Sequence, residues 1–244
     1  MRRGIVYCGM GSMMSSVAAD SHIHRVFHFY QESLGKKVVM AATGVVLFGY
    51  LVGHLLGNLQ VYLGAQQMDN YAAFLHSMPA LLWGVRVLLV VSIVAHIVAS
   101  IQLARIKQVA RPVSYVKKEA IASSYASRTM MWSGPIIALF VIFHILDLTT
   151  GTTGTAQYQD LRAYENLVYS FRRIPVAAFY IVAMLLLCMH LYHGLWSMFQ
   201  SMGVSHPRYT PIIKRAAAWV AILMAIGFIS IPVSVLTGLV GANL

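Results

Sequence analysis

Charge is scarce in this sequence: only 10% of its 244 residues are Asp, Glu, Lys or Arg, against roughly a quarter in soluble domains. That excludes a water-soluble fold. With 59% hydrophobic residues and a mean hydropathy of +0.70, the chain reads as an all-α membrane protein built from spans of about 20 residues. Cysteine is almost absent. Cys8 and Cys188 cannot supply a disulfide framework, a paired-cysteine zinc site or the C-x-x-C-H pair that tethers a haem covalently. Acidic residues are the rarer sign, 7 against 18 Lys and Arg, for a net charge of +11. On a soluble protein that balance would raise nucleic acid as a partner; here its distribution gives topology, and no nucleic-acid partner is expected. The run Met1 to Cys8 is basic but has only a short apolar stretch before Gly9, so no cleaved leader is expected.

Five apolar stretches are present, at Val38–Tyr62, Ala80–Ala104, Thr129–Leu148, Ile174–Phe199 and Ala216–Val240. Lys36-Lys37, Pro79, Arg128 and Pro175 punctuate their starts, and the stretch from Gly151 to Thr155 reads as a small flexible loop. Basic residues sort by side. The N-terminal segment, the second loop and the fourth loop hold 14 (Arg208, Lys214 and Arg215 in the fourth), whereas the other side has Arg162, Arg172 and Arg173 alone, with Arg86 inside a span. This bias puts the N-terminus in the cytoplasm and the C-terminus outside a cell membrane, with basic loops facing anionic lipid. Residues 1–35 then form a cytoplasmic segment and residues 36–244 one five-span domain.

The first four spans carry histidine in their interiors: His54, His96, His144, and His190 with His193. A single intramembrane histidine can simply hydrogen-bond a neighbouring helix. Depth makes these four different. At about 1.5 Å rise per residue, His54 (17 residues past Lys37) and His144 (16 past Arg128) both lie roughly 24–26 Å from the cytoplasmic end. His96 (9 residues before Arg105) and His190 (10 before Gln200) share a level ~14–15 Å from that end, an offset of ~10 Å between levels. The matched pairs come from alternate spans, which are diagonal neighbours in an up-and-down four-helix bundle. Two imidazoles facing across a bundle core are the arrangement that clamps a porphyrin from both faces, and two axial imidazoles favour electron transfer over oxygen binding.

Gly44, Gly49, Gly53 and Gly57 in the first span, with Gly134 and Gly194, would let a macrocycle approach the backbone, or else let helices pack closely. Spacing alone leaves His190 and His193 interchangeable as ligand, since they sit three residues apart on nearly one face. Arg105, Arg128, His193 and the cluster His22, His24 and His28 are candidates to hold porphyrin propionates, with a headgroup-facing surface as the alternative.

The stretches Ser33-Leu34-Gly35-Lys36-Lys37 and Gly53-His54-Leu55-Leu56-Gly57-Asn58-Leu59-Gln60 strongly resemble the first span of the di-haem cytochrome b subunit of succinate dehydrogenases and fumarate reductases. So do Ala95-His96-Ile97-Val98, Ser127-Arg128-Thr129-Met130, Phe143-His144-Ile145-Leu146 and the run His190-Leu191-Tyr192-His193-Gly194-Leu195-Trp196-Ser197. The likeness runs from about Phe29 to the C-terminus, with these motifs in order along five spans. It implies a membrane anchor with two haems b, His54 and His144 on the outer one, His96 and His190 on the inner one; the match around Gly194 favours His190 over His193. It also implies a flavoprotein and an iron–sulfur subunit docked on the cytoplasmic side. Electrons from succinate would reach a membrane quinone, menaquinone ahead of ubiquinone, through the two haems. The chain has no flavin or cluster motif of its own, so it would be the subunit of a succinate dehydrogenase (quinone) or fumarate reductase that does not bind succinate.

Two positions depart from that pattern. Where a related quinol fumarate reductase has a glutamate 22 residues after the first ligand, used in quinol chemistry, this chain has His76. Asp147 stands where several relatives carry another histidine, and with Gln60 and His76 it is a candidate for quinone or proton handling, or is an interfacial residue. Two rivals remain: a di-haem cytochrome b serving a hydrogenase or formate dehydrogenase, and a channel or transporter whose histidines relay protons.

Overall fold

The computed structural model describes residues 30–110, 125–153 and 158–242. Outside them fall Arg2, Arg3, Arg25, the His22, His24 and His28 cluster, Arg111, Lys117, Lys118, Gly154 and Thr155, and also the side chain of Arg128. Among the described residues the chain forms seven α-helices and no strand. Helix α1 (Ser33–Asn58) runs on through a 3-10 segment (Leu59–Leu63) to the short α2 (Ala65–His76); then follow α3 (Pro79–Val109), α4 (Tyr125–Leu148), the short α5 (Ala163–Arg172), α6 (Ile174–Ser201) and α7 (Thr210–Leu236). The five long segments are apolar and long enough to cross a bilayer, as a multi-pass membrane protein requires.

The last span differs from its sequence reading of Ala216–Val240. Pro211 stands in the first turn, where its missing N–H is no loss, so the helix starts at Thr210 and carries Lys214 and Arg215 on its own first turns. It ends at Leu236 because Gly238 takes a φ of 74°, a left-handed stop. At the start of α1, Lys36 is buried rather than free in a loop. Its ammonium donates to the carbonyls of Tyr30 (2.9 Å) and Gln31 (2.5 Å).

Helix α1 packs chiefly on α3, and α6 packs on both α4 and α7. The backbones of α1 and α4, and of α3 and α6, scarcely approach each other, and neither do those of α3 and α4. Large apolar side chains such as Val90, Trp132, Leu139 and Leu223 point outward, where hydrocarbon replaces a protein partner. The dense core lies at one end, where Val61, Leu167, Val168, Phe171, Ile231 and Val235 meet. Helices α2 and α5 close this capped end; Lys37, Arg105, Lys107 and Arg208 are exposed at the opposite, basic end.

The cap is cross-linked by polar groups. Helix α5 buries Leu167, Val168 and Phe171 on one face and exposes Arg162, which pairs with Glu165 at 3.2 Å. The Asp69 carboxylate on α2 accepts the Tyr164 N–H at 3.0 Å, satisfying a first-turn donor of α5 that has no intrahelical acceptor. Beyond α7, the Gly241 N–H donates to Tyr164 Oη (3.1 Å) while Arg172 donates to the Gly241 carbonyl (2.7 Å). Asp69→Ala is therefore expected to cost about 1 kcal/mol. Denaturant unfolding in detergent, followed by circular dichroism, measures it, and Asp69→Asn should keep most of the stability.

Candidate functional site

The helix arrangement decides which histidines meet. His54 on α1 and His144 on α4 have ring centroids 5.6 Å apart at an interplanar angle of 89°, although the backbones of α1 and α4 scarcely approach each other. His96 on α3 and His190 on α6 are 6.4 Å apart at 52°. His193 does not join that pair: its ring lies edge-on to Trp196 at 5.3 Å.

Three of the four rings are held by identifiable neighbours. Tyr50, one turn before His54, stacks on it at 5.4 Å and 17°, and Phe228 of α7 approaches from the side at 6.1 Å. His96 Nδ1 lies 3.0 Å from Thr43 Oγ1. The Thr43 hydroxyl also reaches the Val39 and Met40 carbonyls, at 2.8 and 3.1 Å; with its proton on that backbone its oxygen accepts from His96 Nδ1, and Nε2 keeps its lone pair. Gly44, on the same turn as Thr43, leaves His96 room; a Cβ there would meet His96 Cε1 at 3.7 Å. His190 is less settled, its buried Nδ1 having no hydrogen-bond partner, and the same holds for His193 Nδ1 and Trp196 Nε1.

His144 is the most constrained. Its Nδ1 is 3.3 Å from Tyr180 Oη, and that hydroxyl donates to Asp147 Oδ2 at 3.1 Å. Asp147 is fully buried, and both of its oxygens are doubly engaged: Oδ2 by Tyr180 and Ser170, Oδ1 by Arg173 and by Thr153 at 2.6 Å. Arg173 also donates to the Thr153 carbonyl at 3.1 Å. The guanidinium keeps 30% of its surface, so charge and counter-charge sit at the boundary between bundle and surface.

The other sequence candidates lie apart from these pairs. His76 is exposed on the last turn of α2 and donates to the Ala72 carbonyl at 2.8 Å. Gln60 accepts from Gln67 at 3.3 Å in the 3-10 segment, and Arg105 is exposed at the basic end of α3. Arg86, two turns into its helix, holds its guanidinium 5.0 Å from the Trp83 ring. Lys214 lies 4.4 Å over Trp196.

The glycines divide between the two roles open to them. Gly57 abuts Tyr71 and Gly227 abuts Leu55, each so closely that an added Cβ would come within 2.9 Å: these are helix contacts. At Gly49, Gly53, Gly134 and Gly194 a Cβ would meet nothing within 4 Å, so open space borders those backbones. The two levels are also further apart than depth counting suggests. Thr43 aligns with His96 and lies 11 residues before His54, about 16 Å of helix rise against the ~10 Å expected. The discrepancy has a simple source: Thr43 stands about 9 Å past Lys37 and His96 about 14 Å before Arg105, so Arg105 lies roughly 4–5 Å beyond the level of Lys37 and the two end markers are not level.

Thr43, Tyr180, Ser170, Thr153 and Arg173 escape the sequence reading. Thr43 and Tyr180 carry a faint signal, as polar atoms inside apolar spans at the levels of the histidines. No family model, curated protein or solved structure matches the chain, so its residues and their geometry carry the functional reading.

Asp147→Ala would leave the Arg173 guanidinium and the hydroxyls of Ser170 and Tyr180 without their acceptor, an expected loss of about 3–5 kcal/mol. Unfolding in detergent measures it. The pair replacement Asp147→Leu with Arg173→Met should recover much of that loss, because the penalty belongs to the stranded charge.

Proposed function

We propose that the chain is the membrane anchor and electron-transfer subunit of a succinate:quinone oxidoreductase. In this reading His54 and His144 are the axial ligands of one haem b, and His96 and His190 those of a second. One observation carries it: four imidazoles on four spans come together as two pairs, each between helices whose backbones scarcely approach each other.

The dimensions fit. Two imidazoles that would hold one metal between them, each through a nitrogen about 2 Å from it, would have ring centroids about 6 Å apart. The observed 5.6 and 6.4 Å bracket that value. Porphyrin iron leaves two axial positions open, the number of imidazoles present at each level. Neutral Nε2 lone pairs are the donors such a metal takes, and the hydrogen bonds at Nδ1 of His96 and His144 leave those lone pairs free. Open space beside Gly49, Gly53, Gly134 and Gly194 gives a flat group room against the helices. The pairing of His190 with His96 supports His190, not His193, as the ligand.

Bound haem supplies one-electron chemistry that no side chain here possesses. The chain's own residues ligate, orient the rings and keep water out of the gaps between the helices. The likeness of the six motifs to di-haem succinate dehydrogenase and fumarate reductase anchors supports the choice of reaction, with succinate handled by a flavoprotein and an iron–sulfur subunit. Those partners would meet the basic end, which the distribution of Lys and Arg puts in the cytoplasm of a cell-membrane protein. A membrane quinone, of the menaquinone kind, would complete the reaction.

The purified complex is expected to give two haems per chain by pyridine haemochrome assay and b-type α-bands in a dithionite-minus-oxidised spectrum. Replacing His54 or His144 with Ala should remove one haem and spare the other, His96→Ala or His190→Ala should do the converse, and His193→Ala should retain both. Absence of a b-type spectrum would refute the reading in favour of a histidine proton relay. Two haems on a chain that copurifies with a hydrogenase or formate dehydrogenase would retain the cofactors and change the reaction.

A further inference from the structure

The two histidine pairs are supported differently. His96 is steadied by Thr43, a neutral hydroxyl whose proton goes to the backbone of its own helix. His144 is steadied by Tyr180, whose proton goes to a carboxylate held by three further donors, from Thr153, Ser170 and Arg173. An ionised carboxylate can only accept, so each of these neighbours must donate. The direction of every proton in the chain then follows. Tyr180 gives its hydrogen to Asp147, its oxygen presents lone pairs to His144, and His144 must carry its proton on Nδ1.

We infer that Asp147 and Tyr180 are positioning residues. Through a hydroxyl bridge from a buried carboxylate they fix the tautomer of His144 and strengthen its Nε2 as a donor, lowering the reduction potential of the iron that His54 and His144 share. The inference rests on the haem reading for the potential and on the hydrogen-bond geometry alone for the tautomer.

The mechanism is electrostatic. A hydrogen bond from Nδ1–H to an oxygen that is itself bound to an anion draws the proton off the ring and leaves more electron density at Nε2. A more basic imidazole favours the more highly charged ferric state, and the potential falls. Each piece of the surroundings serves this. Arg173 and Ser170 come from the junction of α5 with α6 and Thr153 from the turn after α4, so the carboxylate is pinned by elements outside the helix that carries His144. Tyr180 is clamped edge-on between Phe171 and Phe140, with centroids at 4.8 and 5.0 Å, which fixes where its hydroxyl points. Asp147 has no lone pair left over for a quinone or a passing proton. Among the sequence candidates it thus acts through His144.

Tyr180→Phe tests this, because it deletes only the bridging oxygen and leaves Asp147 with Arg173, Ser170 and Thr153. In the haem-free full-length chain, 15N spectra of selectively labelled histidine should show His144 protonated on Nδ1 in the wild type and losing that single-tautomer signature in Tyr180→Phe. In the haem-loaded complex, potentiometric titration should show the midpoint of the His54/His144 haem rising while that of the His96/His190 haem stays in place, with haem at the affected site held about 10- to 100-fold less tightly. Thr43→Val serves as the mirror control and should move the other haem alone. An unchanged His144 tautomer overturns the inference, as does a changed tautomer with an unmoved potential, or an equal shift of both haems. If the chain takes up no haem, the proposed function falls, and the nitrogen spectra alone decide whether Tyr180 sets His144.

Discussion

An imidazole carried into hydrocarbon has two ring nitrogens and no water to satisfy either, so leaving one without a partner is costly. Much of this molecule follows from that requirement. It calls for hydroxyls at the depth of the rings, which Thr43 and Tyr180 provide, and for helices that bring the rings together across gaps their own backbones leave open. Where a ring nitrogen is paired on one side, its chemistry is directed to the other side. The rings are therefore placed twice over, by which helices bring them together and, for His96 and His144, by the hydroxyl that stands behind each.

The two ends of the bundle divide the mechanical work. At the capped end α2 and α5 and the turn after α7 lock into one another through Asp69, Tyr164, Arg172 and Gly241, and the aromatic cluster of Phe140, Phe171 and Tyr180 fills the space beneath. Toward the basic end the buried residues are small, Ala41, Ala99, Ala217 and Ala221 among them, and polar atoms such as Ser133 Oγ and Trp196 Nε1 are buried without partners. Dense packing at one end with looser packing at the other lets a rigid frame define ring positions while leaving room between the helices.

Sequence made the membrane class, the span count and the two levels of histidine legible, because each depends on one-dimensional quantities: apolar length, charge bias and residues counted from a boundary. The open choice between His190 and His193 was of another kind. Three residues on a helix turn the side chain by most of a revolution, and only the neighbouring helix decides which ring is met. Helices α2 and α5 were missed because their apolar residues are too few to register as spans, and α5 earns its place by burying one face against the bundle. Asp147 could be singled out as an acid near the end of a span; its fourfold engagement could not, since the donors come from residues 153 to 180 and converge only once α5 has docked.

The contacts around Gly241 also impose an order on biogenesis. Helix α5 leaves the ribosome some seventy residues before the glycine that receives its Arg172 and Tyr164, so the newly made hairpin of α4 and α6 has to wait in the translocon or the bilayer with its lid unfastened. Only after the last span has inserted can that latch shut. The two bonds to Gly241 are thus the last to form, on a helix α5 that meets α2 through Asp69 and α4 through Asp147 without them.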